Sequence, residues 1–227
     1  WVKNDEGSAL YIRPFVIGNQ HAIQAAPSNA YKFMIICSPS APYYPGGVKV
    51  LVADKFSRAA SGGVGYAKAA GNYAGQFYPT NLAEEKGFDQ IIWTDANEHK
   101  YLEEAGTMNI IFRLGDKLIS PKSGDTILNG ITKRSVLDIA RSWGYEVEER
   151  KVTVQEIIKS FENGTIKEAF GAGTAATIAS INCIHYNDQD YFLPEPSEDF
   201  FSTKVLSFLN DYKKGLIEDK FNWLIRF

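Results

Sequence analysis

Strand-forming and helix-forming segments follow one another irregularly along this 227-residue chain, and their order is the strongest constraint on its fold. In the middle of the chain, β-rich residues 90–95, 107–113 and 117–120 are joined by Asp, Asn and Gly turns typical of hairpins. Amphipathic helices are predicted over residues 131–143 and 154–163. Because regular βαβ alternation is missing, the order predicts an α+β domain with antiparallel or mixed strands, flanking helices and a central antiparallel meander.

The outer parts of the chain continue this pattern. Further strands are predicted over residues 8–19, 30–38, 48–54, 167–170, 176–186 and 191–193. Further helices are predicted over residues 72–86 and 202–213. The run N-D-Q-D at residues 187–190 predicts a tight turn between two strands.

Composition excludes several classes of protein. The net charge of −3 leaves no basic surplus to neutralise a phosphate backbone, so we expect no nucleic-acid partner. Cys37 and Cys183 lie far apart, outside any C-x-x-C or Cys/His cluster. Their positions argue against a disulfide framework and a metal site, and favour a reducing, cytoplasmic setting. No apolar run approaches the roughly 18 to 20 residues of a membrane span, so we expect no membrane role.

Two glycine-rich segments are similar to nucleotide-binding motifs. Residues 171–176, G-A-G-T-A-A, match the G-x-G-x-x-A dinucleotide fingerprint, but the residues after them alternate like a strand where the fingerprint requires a helix. The run G-G-V-G-Y-A-K at residues 62–68 lacks the Gly-Lys-Ser/Thr sequence of a phosphate loop. We therefore expect neither a nicotinamide site nor a P-loop.

Lys68 is the most unusual residue of the second segment, because it is a single lysine among small residues in Y-A-K-A-A-G-N-Y. An amine held in an apolar, confined site is kept neutral by desolvation and becomes a nucleophile towards a carbonyl. The functional interpretation is a Schiff-base lysine. The alternative is an exposed loop lysine.

Five motifs give a more specific indication. They are L-Y-I-R-P at 10–14, K-A-A-G-N-Y at 68–73, E-A-G-T-M-N at 104–109, G-I-T-K-R-S at 130–135 and G-A-G-T-A at 171–175. In this order they resemble the branched-chain amino acid aminotransferases of pyridoxal-phosphate fold type IV. The resemblance implies the D-amino acid aminotransferase-like fold, with residues 1–227 forming the large, cofactor-binding domain. It also implies that the family's small N-terminal domain is missing here, and that residues 1–7 are the connection to it.

The resemblance implies pyridoxal 5′-phosphate as the cofactor and assigns residues to its ring. Lys68 matches the lysine that forms the Schiff base and later moves the α-proton of the substrate. Glu104 matches the carboxylate that faces the pyridine nitrogen, whereas the adjacent Glu103 is better suited to the surface. Tyr73 and Thr107 match residues that line both the cofactor and the substrate pocket.

Phosphate and carboxylate contacts are implied in the same way. Ile131 and Thr132 precede a predicted helix, whose N-terminal amides suit a phosphate, although a simple Thr N-cap would use the same geometry. Thr174 matches a residue that contacts both the cofactor phosphate and the substrate, and Ala175 lies near the substrate carboxylate. The converging backbone amides of a glycine-flanked turn suit such anions.

Residues outside the cofactor motifs are assigned to the substrate. Tyr11 and Arg13 match the L-Y-x-R-P pair that admits both an aliphatic side chain and the second carboxylate of glutamate, which a bidentate arginine suits. Tyr43 is expected near the substrate channel. Arg58 lies ten residues before Lys68, as an arginine does in the family, and is given only a supporting role.

The implied activity is transamination by a homodimer when the protein is full length. Leucine, isoleucine or valine gives its amino group to the cofactor, and 2-oxoglutarate takes it up to form glutamate. A D-amino acid aminotransferase or an aminodeoxychorismate lyase of the same fold is one alternative. A non-catalytic fragment that is unable to hold the cofactor is another.

Overall fold

The computed structural model describes residues 8–40, 46–175 and 177–225. Their contacts divide the chain into two units, Trp1–Pro45 and Gly46–Phe227. The predicted interdomain connection at residues 1–7 and the predicted channel residue Tyr43 lie outside the described residues.

The first unit contains a two-stranded antiparallel hairpin. Strand β1 (Ala9–Gly18) pairs with β2 (Tyr31–Ser40) in continuous register from Ala9 opposite Ser40 to Gly18 opposite Tyr31. Both strands were predicted from their β-rich sequences.

The second unit is built on a mixed sheet of ten strands. The strands are β3 (Val48–Val52), β4 (Gln90–Thr94), β5 (Tyr101–Ala105), β6 (Asn109–Leu114), β7 (Lys117–Pro121), β8 (Glu146–Arg150), β9 (Val152–Thr153), β10 (Ile166–Gly173), β11 (Thr177–Tyr186) and β12 (Gln189–Phe192). Their order in the sheet is β8-β7-β6-β10-β11-β3-β4-β5-β9, and β12 pairs with β11. Together with the helices, this arrangement confirms the α+β class with mixed strands.

Five helices belong to the same unit among the described residues. They are α1 (Ala70–Ala74), α2 (Phe77–Glu85), α3 (Ile131–Ser142), α4 (Val154–Glu162) and α5 (Phe201–Lys213). The apolar face of α3 packs with α5 on the sheet, where Val136, Leu137, Phe201 and Val205 are fully buried. None of the described helices is long and apolar enough to span a membrane.

The predicted central meander is wrong. The hairpins β4–β5 and β6–β7 are both antiparallel, but β10, β11 and β3 lie between them in the sheet. The β11–β3, β3–β4 and β7–β8 pairs are parallel. Turn residues report only the local chain reversal, whereas the neighbours of each hairpin are chosen by long-range packing.

The helix predicted over residues 72–86 is two helices. Helix α1 ends at Ala74, with Gly75 as its C-cap, and α2 begins at Phe77 with Pro79 in its first turn. Proline is tolerated in the first turn because the amide there has no partner within the helix. Because of this break, α1 is a helix of only 5 residues, which begins two positions after Lys68.

Candidate active site

Lys68 lies in the loop between β3 and α1, two residues before the helix begins. Its Nζ donates a hydrogen bond to the hydroxyl of Tyr73 at 2.9 Å. Asn72 Nδ2 donates to the carbonyls of Val64 and Ala67, both at 2.8 Å, and so fixes the backbone leading to Lys68. The structure thus brings together Lys68 and Tyr73, two residues that the sequence assigned separately to the cofactor site.

The expectation of a confined, apolar setting for Lys68 is wrong in this chain. Its side chain is exposed, and so are the neighbouring Tyr66, Ala69 and Ala70. The small side chains around it do not cover the amine. Any confinement of Lys68 must therefore come from groups other than the described residues.

Glu104 lies in β5, and its carboxylate is buried among hydrogen-bond donors. Arg58 Nη2 contacts its Oε1 at 2.9 Å, and the two side chains are 3% and 8% exposed. Its Oε2 accepts hydrogen bonds from Asn109 Nδ2 at 2.9 Å and from the backbone amide of Leu128 at 3.2 Å. The three donors favour the charged form of this carboxylate.

Burial acts in the opposite direction on Glu104. Desolvation raises the pKa of Glu104 to about 7, while the charge of Arg58 and the amide of Leu128 oppose the rise. The carboxylate is therefore poised to change its charge near neutral pH. A cation brought next to it would stabilise the ionised form.

Glu103 is not the surface residue that the sequence led us to expect. It is 5% exposed, its Oε2 has no hydrogen-bond partner, and burial raises its pKa against a hydrogen bond with Thr126. The reason is that β5 lies between β4 and β9 and is buried from Leu102 to Ala105. Neighbouring residues on such a strand point to opposite faces, and both faces are covered.

Arg58 connects three parts of the site. Besides Glu104, its Nη2 contacts the carbonyl of Gly65 at 2.7 Å and the carbonyl of Thr126 at 2.5 Å. Gly65 belongs to the loop that carries Lys68, and Thr126 belongs to the loop before α3. The arginine, which was expected to have only a supporting role, therefore holds both loops against the buried carboxylate.

The start of α3 is open to an anion. Its N-cap is Gly130, which provides no side-chain hydrogen bond, so Thr132 is not a capping residue. Ile131 is exposed and Thr132 is half-buried, and the first amides of a helix have no partners within it. Lys133 is fully buried and anchors this turn through Ser123 Oγ at 2.7 Å and Glu149 Oε2 at 3.1 Å.

The turn Gly173-Thr174-Ala175 connects β10 and β11, which are antiparallel. A strand therefore follows this turn, and the rejection of the dinucleotide fingerprint is confirmed. A Cβ on Gly173 would lie 3.0 Å from the carbonyl oxygen of Thr107, so this close approach brings the turn next to Thr107. Thr107, Thr174 and Ala175 are all exposed.

Tyr11 and Arg13 lie on β1 in the first unit. Arg13 Nη2 donates to the hydroxyl of Tyr11 at 2.8 Å, and its guanidinium lies 5.0 Å from the centre of the Tyr11 ring. The two residues contact each other, whereas their predicted role towards the substrate stays a prediction. The guanidinium remains exposed and can still offer donors to a carboxylate.

The described residues fit the implied cofactor on structural grounds. Glu104 suits a protonated ring nitrogen, which would be a further donor beside the three that already contact this carboxylate. The buried negative charge of Glu104 is only partly compensated, so the added positive charge would stabilise it. A phosphate suits the uncapped start of α3. Lys68 provides an accessible amine on a loop that Arg58 connects to both features.

Sequence reasoning did not assign a role to Asn109, although it ends the motif E-A-G-T-M-N. Its side chain is buried and contacts Glu104, which explains why the motif extends this far. A buried amide next to a carboxylate motif is the signal that could have identified it.

The charge of Glu104 predicts a pH-dependent stability that Glu104→Gln should remove. Between about pH 4.5 and 7 the folded state keeps a proton that the unfolded state has lost, because burial raises the pKa of Glu104 to about 7. The free energy of unfolding should therefore fall with rising pH. The difference in the free energy of unfolding between the original protein and the variant should change by about 3 kcal/mol over this pH range. Urea unfolding at several pH values measures it, and a constant difference would show that Glu104 titrates normally.

Comparison with known proteins places these features in a family. The sequence model described as amino-transferase class IV matches residues 2–184. A protein of Staphylococcus aureus (strain N315), "Probable branched-chain-amino-acid aminotransferase", is 40% identical over 229 residues, covering 99% of this chain and 64% of that protein. "Branched-chain-amino-acid aminotransferase 2" of Bacillus subtilis (strain 168) is 40% identical over 226 residues, covering 98% of this chain and 62% of that protein.

A solved structure supports the same comparison. The branched-chain aminotransferase of Thermoproteus uzoniensis with norvaline has a TM-score of 0.80 and 27% identity, covering 95% of this chain and 68% of that chain. This chain thus spans less than two thirds of the curated relatives' length.

Proposed function

We propose, from the fact that this chain belongs to the amino-transferase class IV family, that it is the cofactor-binding part of an enzyme that transaminates branched-chain L-amino acids. Leucine, isoleucine or valine would give its amino group to 2-oxoglutarate, producing a branched-chain 2-oxo acid and glutamate. The observation that carries the proposal is the buried Glu104, which Arg58 joins to the loops of Lys68 and α3. Residues 1–227 would form the large domain.

Lys68 and Tyr73 act at the reacting carbon. Pyridoxal 5′-phosphate, when bound, supplies a carbonyl for the amino group and a ring that withdraws electrons. Lys68 Nζ would hold the cofactor through its carbonyl carbon, and its amine would serve as the base for the α-proton of the substrate. The hydroxyl of Tyr73, 2.9 Å from Nζ, orients the amine.

Glu104 and the anion-binding turns orient the cofactor. The Glu104 carboxylate would hold the ring nitrogen in its protonated form, which would strengthen electron withdrawal by the ring. The amides of Ile131 and Thr132 would bind the phosphate at the N-terminus of α3, and Thr174 would add a contact from the neighbouring turn. Ala175 lies beside the substrate carboxylate, and Thr107 lines the pocket.

Tyr11 and Arg13 select the substrate in this proposal. Arg13→Met should raise the KM for 2-oxoglutarate by about tenfold or more, because one charge-assisted contact to the distal carboxylate is lost. The KM for leucine should change much less, since its side chain carries no charge. Steady-state kinetics with both substrates test this, and Lys32→Met, which removes an exposed positive charge from the paired strand β2, serves as the matched control. Equal changes in both KM values would contradict the assignment.

Two alternatives have support of their own. A D-amino acid aminotransferase or an aminodeoxychorismate lyase would share Lys68 and Glu104, but the names of the relatives favour branched-chain substrates. A non-catalytic role is favoured by the exposure of Lys68. We further propose a homodimer for the full-length protein and a cytoplasmic location.

A substrate panel distinguishes these functions. The chain is incubated with pyridoxal phosphate, 2-oxoglutarate and one amino acid, and glutamate is measured over time. Turnover with L-leucine, L-isoleucine and L-valine but not with D-alanine supports the proposal. Turnover with D-alanine, or pyruvate release from aminodeoxychorismate, supports the first alternative. Absence of every reaction in a chain that remains folded supports the non-catalytic role.

A further inference from the structure

A closed hydrogen-bond ring links Glu104 to the start of α3. Asn109 Nδ2 donates to Glu104 Oε2 and to the carbonyl of Leu128, both at 2.9 Å. The amide of Leu128 returns to Glu104 Oε2 at 3.2 Å, and the amide of Gly130 donates to the Leu128 carbonyl at 2.9 Å. Asn109 is 5% exposed, so these contacts form away from water.

Gly130 lies against the same side chain. A Cβ on Gly130 would overlap Asn109 Oδ1. The backbone at Gly130 is extended, with φ −64° and ψ 134°, a conformation that alanine also adopts. Glycine is therefore required here by the close approach of Asn109 and not by the backbone conformation.

We propose that Asn109 is a positioning residue that couples the Glu104 carboxylate to the start of α3. It thereby fixes the position of the carboxylate relative to the first amides of the helix. The role of this coupling in cofactor binding rests on the proposed function, which puts the ring nitrogen at Glu104 and the phosphate at Ile131 and Thr132. The coupling itself is a property of the protein without its cofactor. A rigid second layer of contacts of this kind fixes the geometry of groups that touch a ligand.

Gly130→Ala is the sharpest test, because it removes no hydrogen-bonding group and adds one methyl group that must displace Asn109. We expect it to raise the pKa of Glu104 by at least about half a unit, since the carboxylate loses a donor. Asn109→Ala should raise the same pKa. The other charges that act on Glu104 are those of Arg58, Glu103 and Lys133, and neither change alters them. Carboxyl carbon NMR of the protein without cofactor, with the resonance assigned by Glu104→Gln, measures the shift.

Gly124→Ala is the matched control. Gly124 lies in the loop before α3, and a Cβ there would meet nothing within 4 Å. This variant should leave the pKa of Glu104 unchanged. If Gly130→Ala also leaves it unchanged while the chain stays folded, the coupling through Asn109 is wrong.

Cofactor affinity gives a second readout through a double-mutant cycle. Gly130→Ala should weaken pyridoxal phosphate binding by about tenfold or more in the original protein, yet by less than about twofold when Asn109 is already alanine. If Gly130→Ala weakens pyridoxal phosphate binding by the same factor with and without Asn109, the coupling is wrong. If the original protein binds no pyridoxal phosphate, the proposed function fails, and the pKa of Glu104 alone decides the coupling.

Discussion

Lys68→Ala should lower the rate of glutamate formation from leucine and 2-oxoglutarate by at least about a thousandfold, because the amine acts both as the attachment point and as the base. The rate is measured at saturating pyridoxal phosphate, so that weaker cofactor binding does not dominate the result. The chain should stay folded, since Lys68 is exposed and, among the described residues, its side chain contacts Tyr73 alone.

Lys86→Ala is the matched control for this prediction. Lys86 is an exposed lysine at the end of α2, and its loss should leave the rate within about twofold, as is usual for a surface substitution. A Lys68→Ala chain that keeps more than about a tenth of the rate would contradict the assignment of Lys68, because removing both an attachment point and a base costs far more.

Arg58→Met should destabilise the second unit by about 3 to 5 kcal/mol at pH 8, because the buried Glu104 carboxylate loses its cation. The carbonyls of Gly65 and Thr126 would lose a donor as well. The cost should fall at pH 5, where Glu104 takes up a proton and needs no counter-charge. Urea unfolding followed by the fluorescence of the buried Trp93 measures both values.

Arg141→Met is the control for Arg58, because Arg141 forms ion pairs with Asp138 and Glu149 at the surface. Its loss should cost about 1 kcal/mol or less, since exposed pairs are screened by water. Adding Glu104→Gln to Arg58→Met should recover part of the loss at pH 8. Equal costs for Arg58→Met at both pH values would contradict the account of Glu104 as a buried, titrating carboxylate.

The sequence predicted the parts of the site that depend on local structure. The strand β10, the turn at Thr174 and the helix α3 follow from short patterns of glycines and apolar residues, and all are present. The contact between Lys68 and Tyr73 was not predicted, although both residues belong to the motif K-A-A-G-N-Y. Assignments to a cofactor or a substrate came from the family resemblance and remain proposals.

Contacts between distant segments could not be predicted from the same patterns. Arg58 and Thr126 are 68 positions apart, and no local pattern indicates that they meet. Glu103 was expected at the surface because a charged residue usually lies there, but the pairing of β5 on both sides buries it. The small neighbours of Lys68 favoured confinement over the alternative of an exposed loop lysine, and the structure shows the exposed side chain, because these neighbours do not cover the amine.

The central claim is that Lys68 carries the cofactor, and covalent labelling tests it most directly. The chain is incubated with pyridoxal phosphate, reduced with borohydride, digested, and mapped by mass spectrometry. The account predicts a pyridoxyl group on Lys68, an absorption band that reduction removes, and no label at this position in Lys68→Ala. A folded chain labelled equally on its surface lysines, with no excess on Lys68, would contradict it.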